Sequence, residues 1–470
     1  NNMKIQLCWF RTDLRVRDNP ALSSALASGP ARAIYIATPT QWQLHNDAPI
    51  KLDFWRRNLK ELKNNLQKLN IELLFFQVAD YKTIPQLLQQ LLRQLDISQL
   101  HYNRELPLNE RRRDKLVDDV CSKLGVTVSS FDDQLLVSPQ SALSKSASPF
   151  KVFTPFARKT LSLIHKSASL YNGPITRIGN AEPLPPVPVL KHQIKLDDIC
   201  WHESCQHWEN LWPAGEETAK ARLEEFSQKQ ISAYKDKREI PSLNSTSQMS
   251  AYLTGGVISV AECWRIAQKY FDDSGVETWQ NELLWREFYR HTVFHFPHIC
   301  MGKAYREKTN HIPWRHDSEE FDKWCNGRTG YPFVDAGMRQ LLIGGWMHNR
   351  LRMITAMFLS KHLLIDWRWG ERWFMQNLID GDFASNNGGW QWSSSTGVDA
   401  VPYFRIFNPT RQSQRFDPRG HYIRHYVPEL AALSNNDIHE PAGSCPEGYP
   451  PPLVEHQFAR DRALNAFKGY

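Results

Sequence analysis

Nowhere does this chain run through about eighteen apolar residues without interruption, so no segment reads as a membrane-spanning helix. The first residues pass straight into an apolar stretch without a basic flank or a small-residue cleavage site, and the expectation is a cytoplasmic protein. Cysteine is sparse. Its eight positions (Cys8, Cys121, Cys200, Cys205, Cys263, Cys300, Cys325, Cys445) form no Cys-x-x-Cys pair and keep no company with clustered histidines, which excludes a zinc module and leaves reduced thiols. No Gly-x-Gly-x-x-Gly follows the first β-rich run, so the N-terminal region lacks the usual dinucleotide fingerprint. Neither a solenoid-length repeat nor a coiled-coil heptad is evident, and a monomer is the default.

What remains is a long, mildly basic chain. Its 470 residues imply two or three domains with interior enough for a cofactor, and Lys+Arg exceed Asp+Glu by 57 to 50, a surplus that serves a polyanion if concentrated on one face. Short β-rich runs at Ile5 to Phe10, Ala33 to Ala37, Leu73 to Val78 and Val126 to Phe131 alternate with helix-period segments, the pattern of an α/β domain. Leu52, Trp55, Leu59, Leu62, Leu66 and Leu69 recur at three and four residues, which predicts an amphipathic crossover helix. From about Asp132 the texture turns to Ser, Pro and Lys, including Pro183 to Pro188, and reads as a linker over the surface. Beyond Glu209 helical periods dominate and most tryptophans gather. The expected architecture is an α/β domain with a parallel, Rossmann-like sheet over 1–132, a linker over 133–208, and a larger all-helical domain over 209–470.

The helical part carries the chemistry. Asn386 to Trp392 (NNGGWQW) crowds amides and indoles on what reads as a glycine-permitted turn, between Asp380-Gly381-Asp382 and the run Tyr403 to Pro409; this suits a redox cofactor with electron donors better than a plain core. Helical spacing brings Trp279, Glu282, Trp285 and Arg286 onto one face, with a Glu282–Arg286 ion pair as the structural alternative. It likewise aligns Trp346, Asn349, Arg350 and Met353 while turning Leu351, Ile354 and Phe358 toward a core. Thr246 to Ser250, ahead of a helical start at Ala251, offers hydroxyls and free amides to an anion such as a pyrophosphate, or an ordinary helix cap.

These motifs, in order, resemble the photolyase/cryptochrome flavoproteins, closest to the bacterial class I cyclobutane pyrimidine dimer photolyases. The likeness runs nearly end to end, from Trp9 to Arg15 (WFRTDLR) through Phe153 to Phe156, TSQMS, NELLWREFYRH, Thr329 to Ala336 (TGYPFVDA), WMHNRLRM, DGDFASNNGGWQW and YFRIFNP. It implies FAD folded within the helical domain. Tyr234, Thr246, Ser247, Met249 and Ser250 would meet its phosphate side, and Trp279, Arg286, Trp346, Asn349, Arg352, Asp380, Asp382 and Asn386 the rest, with the Asn386 amide favouring the reduced anion. Trp390, Trp367 and Trp314 match the family's electron-carrying tryptophan chain. By the same resemblance, excited FADH⁻ lends an electron to a dimer flipped out of the duplex and regains it after the ring splits. Trp285 and Trp392 would wall the lesion, Met353 would touch it, and Glu282 would hydrogen-bond a thymine carbonyl as it gains charge. Asn349 and Arg350 would line the mouth, and Arg238, Arg350 and Arg405 would meet phosphates.

The resemblance also implies an antenna chromophore in the N-terminal domain. His45, Glu110 and Cys300 match positions of the branch that binds 5,10-methenyltetrahydrofolate; Met301 after Cys300 departs from that branch's lysine, so a deazaflavin or no antenna remains the alternative. Two rival functions are a light-sensing cryptochrome without repair and a (6-4) photoproduct photolyase. The full set of dimer-contacting residue types, and the absence of a lesion-side histidine at Asn349 and Met353, favour dimer repair in UV-damaged DNA.

Overall fold

The computed structural model describes residues 3–167, 184–201 and 204–470. Five parallel strands, β1 (Ile5–Phe10), β2 (Ala31–Ala37), β3 (Leu73–Gln77), β4 (Ile97–Asn103) and β5 (Thr127–Phe131), form one sheet in the order β3-β2-β1-β4-β5. Burial on both faces explains why β1 and β2 read as continuous apolar runs. Cys8, Phe10, Tyr35 and Ala37 enter one core while their neighbours Leu7, Trp9, Ile34 and Ile36 enter another on the opposite face. The expected crossover helix spans Pro49–Lys68 and covers the first of these faces with Leu52, Leu59, Leu62 and Leu66. That core continues without a break into the helical part through Met249, Tyr252, Trp279 and Leu283, so the two halves share an interior.

Three expectations need correction. Strand β4 sits beside β1 in the middle of the sheet, yet it was not expected, because Ser98, Gln99 and His101 interrupt its apolar pattern. His101 is wholly buried, its ring nitrogens matched to Ser24 Oγ (3.0 Å) and Gln6 Oε1 (2.7 Å), and burial pushes it down to about 4, so it serves as a neutral core side chain. The 133–208 stretch is not linker throughout, since Phe153–Lys166 is a helix that buries Phe153, Phe156, Thr160 and Ile164 on one side. Pro183 lies outside the described residues; Pro185 follows over the sheet side, where its carbonyl accepts from Arg32 Nη2 (2.6 Å). Finally, NNGGWQW is no turn: Phe383–Ser393 is a continuous helix capped by Asp382, whose Oδ1 accepts from Ser385 N at 3.0 Å. Its Gly388 is explained by close approach, because a Cβ there would stand 2.4 Å from the Tyr289 ring.

Candidate active site

Asp380 organises the part expected to hold the flavin. Its carboxylate receives Arg352 through two contacts, Nη1 to Oδ1 at 3.1 Å and Nη2 to Oδ2 at 2.7 Å, and also Ser250 Oγ at 2.6 Å; Thr254 Oγ1 donates to its carbonyl at 3.0 Å. Three separate chain segments are thereby tied at one point. Ser250 opens the short Ser250–Thr254 helix, one residue before the expected start. Trp279 Nε1 donates to Ser247 Oγ (3.2 Å), joining the TSQMS segment to the long Ser274–His295 helix, and the Arg352 guanidinium stands 5.9 Å from the Trp346 ring. Trp346 precedes the Asn349–Met357 helix instead of riding on it; that helix starts after His348, whose side chain accepts from Arg350 N.

Two cations deepen the site. Burial raises the Asp382 carboxyl, but Arg290 (Nη2 to Oδ1, 3.3 Å) and the Ser385 amide outweigh it and hold Asp382 below the usual carboxylate range. Arg286 is compensated only in part, by the charges of Asp382 and Glu287, neither of which pairs with it. The expected alternative pair with Glu282 does not form; Arg286 donates to the Gln134 carbonyl (2.8 Å), and among the described residues no carboxylate closes an ion pair with it. Burial and the nearby Arg290 push it down to about 9. A guanidinium without a paired carboxylate fits an anionic dinucleotide, and the Ser247 hydroxyl, which accepts from Trp279 Nε1 and the Met249 amide, keeps its own proton to donate. Asn386 donates to the Glu371 carbonyl (2.9 Å), and Asn387 to the Glu371 carboxyl (2.6 Å), which burial raises to about 7.

Among the residues expected to line a mouth for the lesion, Glu282 is paired instead with Arg238 (Oε1 to Nη1, 2.8 Å). Arg238 also meets Glu239 (3.2 Å), whose other oxygen takes Arg350 Nε (2.6 Å), so Glu282, Arg238, Glu239 and Arg350 form one chain of alternating charge. His348 fixes this chain by sharing a 2.7 Å hydrogen bond with the Arg238 carbonyl, and Arg350 stacks over Phe416 at 4.4 Å. Burial pushes His348 down to about 4, which makes it a neutral donor here. Trp285 lies flat on Phe153 (3.8 Å, 9°), leaving its other face for a partner; Asn349 is exposed, with Nδ2 4.0 Å from Met353 Sδ. Trp392 is half-buried, and Arg405 is exposed on the segment that follows. Glu239 looks like a surface acid in the sequence and is not singled out there, and Phe153 stands there only as part of a motif, without the role of backing Trp285.

Trp390, Trp367 and Trp314 all lie in one buried cluster, and each indole N–H lacks a hydrogen-bond acceptor. The ring pairings of Trp390 and Trp314 run to other aromatics, with Trp314 edge-on to Phe467 at 5.6 Å. The rings touching Trp390 are Phe374 (4.9 Å) and Trp324 (5.8 Å), the latter a tryptophan missed in the sequence because it sits in an ordinary helix pattern. Gly370 is pressed against Trp390, where a Cβ would come within 2.0 Å of the indole.

A cavity of about 480 Å³ opens along the seam between sheet and helices. His45, Glu110 and Cys300, far apart in sequence, all line it, and so do Asn109, Glu371 and Asn386. His45 Nδ1 stands 3.7 Å from Glu110 Oε1, Tyr81 donates to the same oxygen (3.2 Å), and Asn109 meets His45 Nε2 at 3.0 Å. Burial raises the Glu110 carboxyl against the pull of His45, and pushes the Cys300 thiol up to about 11, away from thiolate chemistry. The cavity is therefore lined both by Asn386 and by His45, Glu110 and Cys300.

Comparison with known proteins fits this geometry. The family described as "DNA photolyase" matches residues 6–188, and "FAD binding domain of DNA photolyase" matches 279–469. The deoxyribodipyrimidine photo-lyase of Vibrio cholerae is 43% identical, with 99% of this chain and 99% of that protein covered. A crystal structure of a bacterial class III photolyase from Agrobacterium tumefaciens superposes with TM-score 0.86 at 34% identity, covering 99% of this chain and 98% of the other. A Synechocystis cryptochrome superposes with TM-score 0.87 at 27% identity over 99% and 100% of the two chains, so fold alone does not separate repair from signalling.

Proposed function

This chain belongs to the DNA photolyase family, and we propose that it is a deoxyribodipyrimidine photo-lyase that splits cyclobutane pyrimidine dimers in UV-damaged DNA under light. The observation that carries the reading is the set Glu282, Trp285, Asn349, Met353 and Trp392, in which Glu282 heads the Glu282–Arg238–Glu239–Arg350 charge chain and Asn349 and Met353 ride on the same helix as Arg352, the partner of Asp380. FAD, when bound and reduced, supplies the light-excited electron that opens the cyclobutane ring and takes it back, with no net redox change. The chain's own residues do the rest. Asp380, held by Arg352 and Ser250, joins the segments that would enclose the flavin, and Arg286 supplies a desolvated positive charge that favours an anion. Trp285, backed by Phe153, offers a flat face to the flipped-out dimer, and Glu282 turns from Arg238 to the lesion. Arg238, Arg350 and Arg405 would bind backbone phosphate without reading sequence. Trp314, Trp367 and Trp390 would carry electrons inward, and the seam cavity would hold 5,10-methenyltetrahydrofolate, whose ring N–H groups suit Glu110 and whose edge suits Asn109 and His45.

The test is release of chromophores from the purified protein. FAD with a folate is expected; FAD with a deazaflavin, or FAD alone, would overturn the antenna assignment, and protein without FAD would overturn the whole reading. No residue at the mouth favours signalling or (6-4) photoproduct repair.

A further inference from the structure

Lys361 is unusual. It is wholly buried, sits in the single π-helical turn Phe358–His362 that continues the Asn349–Met357 helix, and among the described residues forms no ion pair with a carboxylate. A buried amine without an anion is costly, and π-turns within helices gather at functional positions. Its Nζ donates to Ser395 Oγ (2.7 Å) and to the Arg405 carbonyl (3.2 Å), over the ring of Phe467 at 5.7 Å.

Both acceptors belong to the stretch that follows Trp392. Ser395 and Asp399 adopt left-handed backbone conformations there (φ 60° and 44°), which a non-glycine residue holds only when its surroundings fix it. Both are held from outside the stretch: Ser395 by Lys361 at its hydroxyl and by Arg306 at its carbonyl, and Asp399 by the Phe153 amide, which donates to its carboxylate at 3.0 Å. Val401 N returns to the Trp392 carbonyl (3.3 Å), Phe407 N meets Met357 Sδ (3.2 Å), and Pro402 to Arg405 stand in solvent between them. Lys361 is thus the post beneath the exposed tip, gripping it by the carbonyl of Arg405.

We propose that Lys361 is a positioning residue for DNA binding, which sets the 395–405 tip so that Arg405 and Trp392 face the duplex together, and whose amine gains a proton when phosphate engages Arg405. The proposal rests on the reading that Arg405 meets DNA. The charge that acts on the amine is Arg405 on the tip; Arg306 reaches the Ser395 carbonyl (3.5 Å), and His362, the next residue, meets His456 and Arg462 of the His456–Phe467 helix. Burial, with Arg405 adding repulsion, pushes the amine down to about 7. Phosphate at Arg405 cancels part of that repulsion, so the complex holds the proton more tightly than the free protein. Binding is then strongest on the acid side of neutrality and weakens as pH rises through the value of the complex.

The experiment measures dark binding to a duplex with one thymine dimer across pH 6 to 9, roughly spanning the titration, for the wild type, Lys361→Met and Arg405→Gln, all flavin-loaded. We expect Lys361→Met to keep its flavin, to bind about tenfold more weakly at neutral pH, and to lose the pH dependence, while repair per absorbed photon in the saturated complex is unchanged. Unchanged affinity, or a retained wild-type pH profile, overturns the proposal. If Lys361→Met does not fold, Ser395→Ala decides: a loss of affinity of about threefold with a damped pH profile is expected, and wild-type behaviour overturns it. An Arg405→Gln protein with wild-type affinity and salt dependence would overturn the reading of the tip itself, whereas a weakened Arg405→Gln beside an unchanged Lys361→Met would overturn only the role of Lys361.

Discussion

Arg352 and Asp380 face each other through two parallel contacts, 3.1 and 2.7 Å, with Asp380 almost wholly buried and Arg352 still a quarter exposed. Removing either partner strands the other. Asp380→Asn is expected to lower stability by about 2 kcal/mol and to release FAD at least tenfold more readily. Thermal unfolding and flavin absorbance after gel filtration check both effects; a variant that keeps its flavin would remove Asp380 from the site.

The buried indoles of Trp314 and Trp367 donate no hydrogen bonds, so phenylalanine replaces either with no polar partner left stranded. Trp314→Phe is expected to cost less than about 1.5 kcal/mol in stability while abolishing reduction of the bound flavin by light. Absorbance during illumination with an external reductant gives the answer. Photoreduction at the wild-type rate would take Trp314 out of the electron route.

Glu371 gives a stability signature. Its folded-state value, raised by burial to about 7, exceeds that of the unfolded chain, so the native state holds a proton longer. Its contribution is full below the ordinary carboxylate range and is lost as pH rises through about 7. Glu371→Gln should therefore raise Tm relative to the wild type at pH above about 8 and change it little near about pH 5, the difference being on the order of 2 kcal/mol. A pH-independent difference would contradict the assignment.

Charge at the mouth sets the salt dependence of DNA binding. Each of Arg238→Gln, Arg350→Gln and Arg405→Gln should lower the slope of log affinity against log salt by about 0.9, for damaged and undamaged duplex alike, because phosphate contacts carry no sequence information. Arg238→Gln also leaves Glu282 without its partner, and should alter the preference for dimer-containing DNA where Arg405→Gln does not.

The sequence made the motif positions legible because their side chains are chemically unusual, and the structure brings Ser247, Ser250, Trp279, Arg352 and Asp380 together as those motifs required. His45, Glu110 and Cys300 likewise converge on one cavity. Local geometry was less legible. Strand β4 hid behind its satisfied polar residues, and the Phe153–Lys166 helix behind linker-like composition. The glycines of NNGGWQW read as a turn because a sequence does not display the Tyr289 ring that demands one of them. Glu239, Trp324 and Lys361 gave no signal at all: each residue type is commonplace, and its role comes from partners more than a hundred residues away for Glu239 and from tertiary contacts for the other two.

Repair under light is the central claim, and it is tested most directly by chromatography of an oligonucleotide carrying one thymine dimer after incubation with the fully reduced, FAD-loaded protein in blue light and in darkness. Conversion to intact thymines in the light alone is the predicted result. No conversion in the light, with flavin bound, reduced and the lesion engaged, would contradict the account.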